Sequence, residues 1–275
     1  MSVSSQLIGE AGEIDRVRIE IGSGLVEIGP SDDGRTTVTV DSDDAKDGDL
    51  VVELVNGEVV IEGPKKARRG PEIHVRIATS VTLDARIQTG SGDISSRVPL
   101  GEARLSTGSG DIRAERIEGD LAATTGSGDV RIGSAAQTVR AKTGSGAIDI
   151  GESIGQVGVS TGSGDVRLGD AAGPTTVKVG SGDITIERIR DHSIATSGSG
   201  DVRVESAEGP SVRAETARGD VQIGVPDGVP TYLDLKTVTG QIRCDLEPGQ
   251  KPAEGEPSLM LRARTVSGDI TVVRV

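Results

Sequence analysis

The chain has 275 residues, 40 glycines, a formal net charge of −13 and one aromatic residue, Tyr232. An ordinary globular core depends on bulky rings, so this composition argues for a thin, regular interior of small aliphatic side chains. The acidity argues against nucleic acid and anionic membranes as partners, because phosphate groups attract a basic surface. A single cysteine, Cys244, cannot form an intrachain disulfide, and no apolar run is long enough to span a bilayer.

The first 84 residues predict short strands separated by polar turns. Strands are expected at residues 17–28, 36–40, 50–61 and 73–83, with turns at 31–34, 41–49 and 63–70. No linker follows this region. We therefore interpret residues 1–84 as an irregular N-terminal β segment that caps the regular part of the domain.

A repeat of 18 residues dominates the rest of the chain. The tripeptide Gly-Ser-Gly begins at seven positions with this spacing: Gly90, Gly108, Gly126, Gly144, Gly162, Gly180 and Gly198. The residue after each tripeptide is the anchor of its copy: Asp93, Asp111, Asp129, Ala147, Asp165, Asp183 and Asp201. Weaker copies are expected at Gly24-Leu25, Gly57-Glu58, Gly219-Asp220, Gly240-Gln241 and Gly268-Asp269.

Small or apolar residues alternate with polar ones on both sides of each Gly-Ser-Gly. Leu121, Ala123 and Thr125 precede one copy and Val130 follows it, so two half-buried strands flank a sharp corner. A hairpin sandwich is the rival fold, but hairpins have no reason to repeat identical side chains in register. We predict an all-β, single-stranded parallel β-helix (a β-solenoid) with 18 residues and two or three strands per coil. Parallel crossovers favour the right-handed sense, although left-handed solenoids with 18-residue coils also exist.

The solenoid is expected to run from residue 85 to residue 275 as one continuous domain. Residues 246–257, rich in proline, glycine and glutamate, predict an exposed loop inserted between two coils. The final strand, residues 269–275, would then leave an open β edge. Cys244 follows Gln241 by three residues, an inward position, so we expect it to be buried.

The anchor aspartates predict a row of carboxylates about 4.8 Å apart, which repel one another unless something offsets their charge. One hypothesis is calcium held by Asp93, Asp111, Asp129, Asp165, Asp183 and Asp201, although calcium takes about six to eight oxygens and each coil offers one acidic turn. The other is turn hydrogen bonding plus a structural charge ladder with arginines two positions after the anchors. That ladder comprises Asp111, Arg113, Asp129, Arg131, Asp149, Asp165, Arg167, Asp201 and Arg203.

No catalytic site or cofactor is predicted. β-Helical enzymes that act on polysaccharides use clustered acids and sugar-stacking rings, and Tyr232 stands alone. His74 and His192 have no nucleophile or metal-ligand partner at a useful spacing. Threonines before the corner, such as Thr107, face inward by parity and predict stacked, buried hydroxyls. A polysaccharide-acting enzyme remains an alternative to the expected absence of activity.

The Thr-Gly-Ser-Gly-Asp-Ile/Val repeats, with the closing segments at residues 232–240 and 262–270, resemble a large bacterial family of β-strand-repeat proteins known as adhesins. The resemblance covers most of the chain and implies a β-helix-like fold. It implies little about activity, since the family is otherwise of unknown function and fold analogy does not establish function.

These observations favour a non-enzymatic structural or binding solenoid, with a calcium-binding repeat module as the alternative. A basic-leaning outward row is the expected face for a protein or polysaccharide partner: Arg86, Arg104, Arg140, Lys142 and Lys178. The open terminal coil would allow end-to-end assembly into a homo-oligomer. The first residues lack a signal-peptide pattern, so a cytoplasmic location is expected.

Overall fold

The computed structural model describes residues 3–10, 12–43, 50–64, 71–246 and 258–275. Every regular secondary-structure element in these ranges is a β-strand. No helix among the described residues is long and apolar enough to cross a membrane. The chain forms two compact units, residues 1–143 and 144–275. Most of the predicted turns at 41–49 and 63–70, and the predicted loop at 246–257 except its first residue, lie outside the described residues. The single continuous domain stays a prediction.

The described strands of residues 1–143 are β1 (Val3–Gly9), β2 (Arg16–Pro30), β3 (Thr36–Ser42), β4 (Val51–Val55), β5 (Glu58–Glu62), β6 (Glu72–Thr79), β7 (Leu83–Ser96), β8 (Leu100–Thr107), β9 (Ile112–Ile117), β10 (Leu121–Thr125), β11 (Val130–Ala135) and β12 (Val139–Thr143). 

The described strands of residues 144–275 are β13 (Ile148–Ser153), β14 (Val157–Ser163), β15 (Val166–Ala171), β16 (Thr175–Ser181), β17 (Ile184–Ile189), β18 (Ser193–Ser199), β19 (Val202–Ala207), β20 (Ser211–Arg218), β21 (Val221–Val225), β22 (Thr231–Thr239), β23 (Ile242–Cys244), β24 (Leu259–Ser267) and β25 (Ile270–Arg274).

Each regular coil contributes one strand to each of two stacks of parallel strands. The strand before Gly-Ser-Gly, here called the leading strand, pairs with the leading strands of neighbouring coils, as Leu105 of β8 does with Ala123 of β10. The strand after it, the trailing strand, pairs likewise, with Ile112 of β9 opposite Val130 of β11. Equivalent residues 18 positions apart therefore lie side by side, which confirms the parallel β-solenoid and fixes two strands per regular coil.

The interior is a narrow column of stacked aliphatic side chains. In residues 1–143, Ile87, Leu105, Ala123 and Ala141 follow one another from coil to coil, and each is at most 1% exposed. Residues between them, such as Arg104, point to solvent. Burial of apolar surface stabilises the fold by roughly 25 cal/mol per Å², but only once a neighbouring coil covers it. The predicted period-two strands are confirmed.

The corner at Gly-Ser-Gly is held by a buried threonine hydroxyl. Thr125 Oγ1 donates to the carbonyl of Gly110 on the preceding coil at 2.9 Å and accepts the N–H of Gly128 on its own coil at 3.0 Å. Glycine is required at the third place of the tripeptide, because a Cβ atom on Gly110 would lie 2.0 Å from the carbonyl oxygen of Gly92. The expected inward threonine row is confirmed, since Thr107 and Thr125 are buried.

The corners at Gly164, Gly182 and Gly200 have a second conformation with the same Gly-Ser-Gly sequence. Gly164, Gly182 and Gly200 have φ values of 136°, 143° and 139°, a region that strongly favours glycine. Their N–H groups bond to a backbone carbonyl of the following coil, as from Gly164 to Ser181 at 2.9 Å and from Gly182 to Ser199 at 2.8 Å. The leading strands therefore extend two residues farther into the corner than in β10 or β12.

The coils at the start of the chain do not stack in sequence order. One edge of β2 pairs with β5 and β6, and its other edge pairs with β7, so the first coil in sequence is second in space. Gly24 lies opposite Gly92, which confirms the weak repeat copy at Gly24-Leu25. Antiparallel strands cover the outer edges, β4 on β5 and β3 on β6, with β1 added to β3.

Two expectations for residues 50–61 are wrong. This segment is a hairpin of β4 and β5 rather than one strand, and Gly57-Glu58 is its turn rather than a repeat corner. Asn56 and Gly57 have φ values of 50° and 80°, the left-handed pair that a two-residue hairpin turn requires. The Asn-Gly dipeptide between two apolar runs was the available sequence signal.

The end of the chain shows the same reversal of order. Strands β24 and β25 pair with β20 and β21 on one edge and with β22 and β23 on the other. The expectation that residues 269–275 offer the open edge is therefore wrong, because that coil is enclosed between two others. The terminal coil in space is β22–β23, which the chain forms before it turns back.

Candidate functional site

The anchor aspartates join successive coils through their carboxylates. Asp111 N–H donates to Asp93 Oδ1 at 2.8 Å, and Asp129 N–H donates to Asp111 Oδ1 at 2.9 Å. In residues 144–275 the same bond, 2.7–3.0 Å long, joins Asp165 to Asp183, Asp183 to Asp201, Asp201 to Asp220, Asp220 to Asp269 and Asp269 to the N–H of Gln241. Charge-assisted bonds of this kind are roughly twice as strong as neutral ones. The sequence suggested turn hydrogen bonding but not this coil-to-coil form.

Arginines two positions later face several of these carboxylates. Arg113 contacts Asp111 at 2.5 Å, while Arg131 contacts Asp129 at 2.7 Å and Asp111 at 3.8 Å. These side chains are partly exposed, so each pair contributes modestly to stability. They nevertheless spread positive charge along a row of carboxylates that would otherwise repel.

The charge pattern is less regular in residues 144–275. Arg167 is 4.0 Å from Asp165 and lies opposite Asp149 on the adjacent strand. Arg203 makes its ion pair with Glu205, at 3.8 Å, rather than with the anchor of its own coil. The anchor row is therefore organised first by its bonds to backbone N–H groups.

The calcium hypothesis has no cluster of ligands in the part of the chain that the structure describes. There, no three histidine, cysteine, aspartate or glutamate side chains come together as a metal site. The Oδ1 atoms of Asp93, Asp111, Asp165, Asp183 and Asp201 accept backbone N–H groups. A cation at this row would have to share those oxygens.

A second charged row runs along the outer face of the leading strands of residues 1–143. Arg18, Arg86 and Arg104 lie on adjacent strands, Ala122 follows, and Arg140 comes next. Arg18 is paired with Glu62 at 3.1 Å. Arg86, Arg104 and Arg140, here called the arginine row, are exposed and make no ion pair or side-chain hydrogen bond within the described residues.

The rows beside the arginine row differ in character. On one side lie Asp84, Glu102 and Asp120, and the carboxylates of Asp84 and Asp120 accept the backbone N–H groups of Glu102 and Thr138. On the other side lie neutral hydrogen-bonding side chains, which end at a further cation: Gln88, Ser106, Thr124 and Lys142. The sequence-predicted Lys178 lies in the other unit, opposite Ser160 and Thr196.

The terminal coil β22–β23 presents inward-facing apolar residues to solvent. Leu233 stands opposite the fully buried Leu261 but is itself 41% exposed, and Ile242 is 46% exposed. Cys244 is exposed too, so the expectation that it is buried is wrong. Its position is inward, as the spacing indicated, but no described coil lies beyond it.

The two histidines have simple surroundings. His74 on β6 lies 3.9 Å from Glu72, and His192 lies 3.9 Å from Asp191 before β18. The His192 side chain is largely exposed, and that of His74 is partly exposed. Neither contacts a nucleophile within the described residues, so they offer no arrangement for proton transfer to a substrate.

A shallow cleft of about 450 Å³ lies on the outer face of the last leading strands. Its lining includes Arg213, Glu215, Lys236, Arg264 and Val266. Arg213 and Glu215 are 2.8 Å apart, and the hydrogen bond that Arg213 donates to the Glu215 carboxylate raises the pKa of the guanidinium. This wall of the cleft is therefore occupied by an ion pair already formed.

Comparison with known proteins places the fold in a family. A family model described as Toastrack DUF4097 matches residues 14–273. The chain belongs to this family. The match confirms the resemblance found from the Thr-Gly-Ser-Gly-Asp repeats, and the family carries no assigned function.

The chain is also similar to several solved structures at low sequence identity. A "putative adhesin" from Bacteroides fragilis is 15% identical over 99% of this chain and 97% of its own, with a TM-score of 0.35. A second "putative adhesin", from Parabacteroides distasonis, is 16% identical over 100% and 97%, with a TM-score of 0.36. A "putative lipid binding protein" from the same organism is 15% identical over 98% and 96%, with a TM-score of 0.38. No curated protein matches the chain.

Proposed function

We propose that this protein is a non-enzymatic binding scaffold whose arginine row holds a linear, acidic polysaccharide. The observation that supports it is the arginine row, which has no ion-pair partner among the described residues of a protein whose net charge is −13. Like charges on neighbouring strands about 4.8 Å apart repel by about 1 kcal/mol in water. An acidic protein has carboxylates available to neutralise such a row. That the arginines are left unpaired therefore favours a role in binding a ligand.

The geometry of the row favours a polymer with repeating acidic groups. Arg86 and Arg104 occupy equivalent places on adjacent coils and Arg140 lies two coils beyond Arg104, with Ala122 between them, so carboxylates spaced along an extended chain can meet them in turn. Arginine binds carboxylates through two parallel hydrogen bonds, which adds geometric specificity. Gln88, Ser106 and Thr124, beside the row, are suited to sugar hydroxyls.

An acidic peptide fits this face less well. Extended peptides gain affinity by adding a strand to a free sheet edge, where backbone groups are available. The arginine row lies on the face of paired strands, and the backbone groups of β7, β8 and β10 are used between coils. A ligand here meets side chains alone.

The test is titration with polygalacturonate, a carboxylated polysaccharide, followed by calorimetry at low and high salt. We expect the double variant Arg86→Ala/Arg104→Ala to bind about tenfold more weakly, since each exposed charge contact contributes up to about 1 kcal/mol. The matched control is Arg203→Ala/Arg243→Ala, which removes two exposed arginines from trailing strands and should bind as the native protein does.

Three results contradict the proposal. One is the absence of binding at low salt, and another is an equal loss of affinity in the control variant. The third is tighter binding of poly-glutamate or of a DNA oligonucleotide, which would assign the row to a different class of partner.

The scaffold has a second proposed property, end-to-end association with copies of itself. It is supported by the terminal coil β22–β23, whose outer edge pairs with no strand in the described part of the chain. Open edges bearing apolar side chains promote pairing between chains. Sedimentation over a concentration series tests it, and a strict monomer at high concentration would refute it.

A further inference from the structure

The backbone of β22 determines which side chains can meet across its open edge. In a parallel ladder, successive residues point their backbone N–H and C=O groups alternately to one neighbour and to the other. The carbonyl of Pro230 accepts the N–H of Leu259 on β24 at 2.9 Å. Even-numbered residues from Pro230 to Lys236 therefore face β24, and the backbone groups of Leu233, Leu235 and Thr237 face the open edge. The alternation ends after Thr237, since the carbonyl of Thr239 accepts the N–H of Gly268 on the β24 side at 3.0 Å.

An antiparallel copy of β22 can bond to that edge in a small set of registers. Opposed residues that exchange hydrogen bonds must both point to the edge, so odd-numbered residues must lie opposite odd-numbered ones. Near the middle of the strand this leaves three two-fold centres, at Asp234, Leu235 or Lys236. Centres at Asp234 and Lys236 place that charged residue against its own copy, which is destabilising.

The centre at Leu235 keeps each charged residue of β22 away from its own copy and pairs apolar residues. It places Asp234, which Arg262 and Arg264 of β24 already contact at 2.7 and 3.1 Å, opposite Lys236 of the second copy, and the two-fold axis repeats this pair. It also sets Tyr232, 48% exposed, across from Val238, 68% exposed, on the outer face. Cross-strand pairs of opposite charge, and of an aromatic with a β-branched residue, both stabilise a sheet.

The inward face gains a partner in the same register. Leu235 lies opposite its own copy and Leu233 lies opposite Thr237. In the regular coils, the residue equivalent to Leu233 is covered by the next coil, as Leu261 is. Leu233 has no such cover in the described chain and is 41% exposed. Pairing would extend the aliphatic column across the two chains and bury the end that each exposes.

The outer face near the open edge is more apolar at position 238 than the regular coils are. In the regular coils this place is the first glycine of Gly-Ser-Gly, and register places Gly198, Ala217, Val266 and Val238 at equivalent positions. A Cβ atom on Gly198 would lie 2.6 Å from the carbonyl oxygen of Gly180, so side chains are excluded there. The last two coils instead carry valines here, Val266 at 55% and Val238 at 68% exposed, so the outer face is apolar up to the open edge.

We infer that two copies of this chain associate tail to tail, with β22 paired antiparallel to its copy about Leu235. The inference rests on the proposed self-association and defines its partner and register. It limits the assembly to a dimer rather than a filament, because the pairing is isologous and closes on itself. In the described part of residues 1–143, β3 and β4 cover β6 and β5, so no parallel coil is left open there for head-to-tail stacking.

The experiment uses opposite charges at the residue that meets its own copy. Leu235→Glu and Leu235→Lys each place like charges together, so each variant alone should be monomeric, with a dimer dissociation constant raised at least about tenfold. Mixed in equal amounts, the two variants should form a heterodimer. Sedimentation equilibrium then gives twice the 28.1 kDa of the chain for the native protein and for the mixture.

The matched controls are Ile194→Glu and Ile194→Lys, which place the same charges on an exposed residue of β18 away from the edge. Both should remain dimers, and circular dichroism verifies that all variants are folded. A monomeric native protein would refute self-association as a whole. Species that grow beyond a dimer with concentration, or single Leu235 variants that dimerise as tightly as the native chain, would retain self-association and overturn this register.

Discussion

The carboxylate of Asp111 accepts the backbone N–H of Asp129, the equivalent residue of the next coil, at 2.9 Å. A corner interrupts the ladder of strand hydrogen bonds, so this N–H would otherwise depend on water. Aspartate reaches it because its side chain is short and its oxygen lies one coil spacing away. The recurring aspartate is thus explained by the backbone of the following coil rather than by a ligand.

Removing that acceptor should destabilise the unit of residues 1–143. We expect Asp111→Ala to lower the free energy of unfolding by about 1–3 kcal/mol, because it leaves the N–H of Asp129 unpaired and frees Arg113. Asp111→Asn should cost less, since an amide oxygen can still accept the bond. Urea unfolding followed by circular dichroism measures both.

The matched control for that comparison is Glu115→Ala. Glu115 is an exposed acid on the same coil and its side chain caps no backbone N–H of another coil. Its removal should change the free energy of unfolding by less than about 0.5 kcal/mol. Equal losses in Glu115→Ala and Asp111→Ala would show that the carboxylate acts only through charge.

The close approach of coils at the corner predicts intolerance of any side chain at Gly110. A Cβ atom there would lie 2.0 Å from the carbonyl oxygen of Gly92, a backbone atom that cannot move aside by rotation. We expect Gly110→Ala to lower the free energy of unfolding by about 3 kcal/mol or more. The control is Ser109→Ala, one residue earlier on the exposed side of the corner. Equal decreases in the melting temperatures of the two variants would contradict the explanation.

The solenoid was predictable because nearly identical residues recur at one spacing, 18 positions. A repeated Thr-Gly-Ser-Gly-Asp must bury its apolar face on a copy of itself, and the register of β8 on β10 follows directly. The two corner conformations were not predictable, since the corners at Gly110 and Gly164 have the identical sequence Thr-Gly-Ser-Gly-Asp. The conformation at Gly164 depends on a hydrogen bond to Ser181 of the next coil, so neighbouring corners specify one another.

The ends of the chain were less predictable for a different reason. A coil such as β24–β25 carries the same alternation whether it stacks last or between two others, because parallel pairing satisfies both its edges equally. Nothing local in the sequence distinguishes the two orders. The exposure of Cys244 and the open edge of β22 both follow from that order. The spacing therefore predicted the inward position of Cys244 correctly but not its exposure to solvent.

The buried hydroxyl at the corner predicts a cost for an isosteric apolar residue. Thr125→Val keeps the shape but leaves the carbonyl of Gly110 and the N–H of Gly128 without the hydroxyl that now serves both. We expect the free energy of unfolding to fall by about 2–3 kcal/mol. Thr124→Val, on the exposed side of the same strand, should be nearly neutral, and Thr125→Ser should recover most of the loss, since Ser197 bonds to Gly182 in the same way.

Asp234 on the terminal coil predicts a measurable shift in titration. Hydrogen bonds from Arg264 foremost, and from Arg262, lower the pKa of its carboxyl below the ordinary aspartate value of about 3.9. A lowered folded-state pKa stabilises the fold above the unfolded-state value, and this contribution is lost as pH falls through the folded-state value. NMR titration of the aspartate carboxyls should show the Asp234 midpoint rising in Arg264→Ala and remaining unchanged in Arg203→Ala. The melting temperatures of the native chain and Arg264→Ala should also converge once the pH falls below that midpoint, and a difference that persists there would mean that Arg264 stabilises the coil by packing instead.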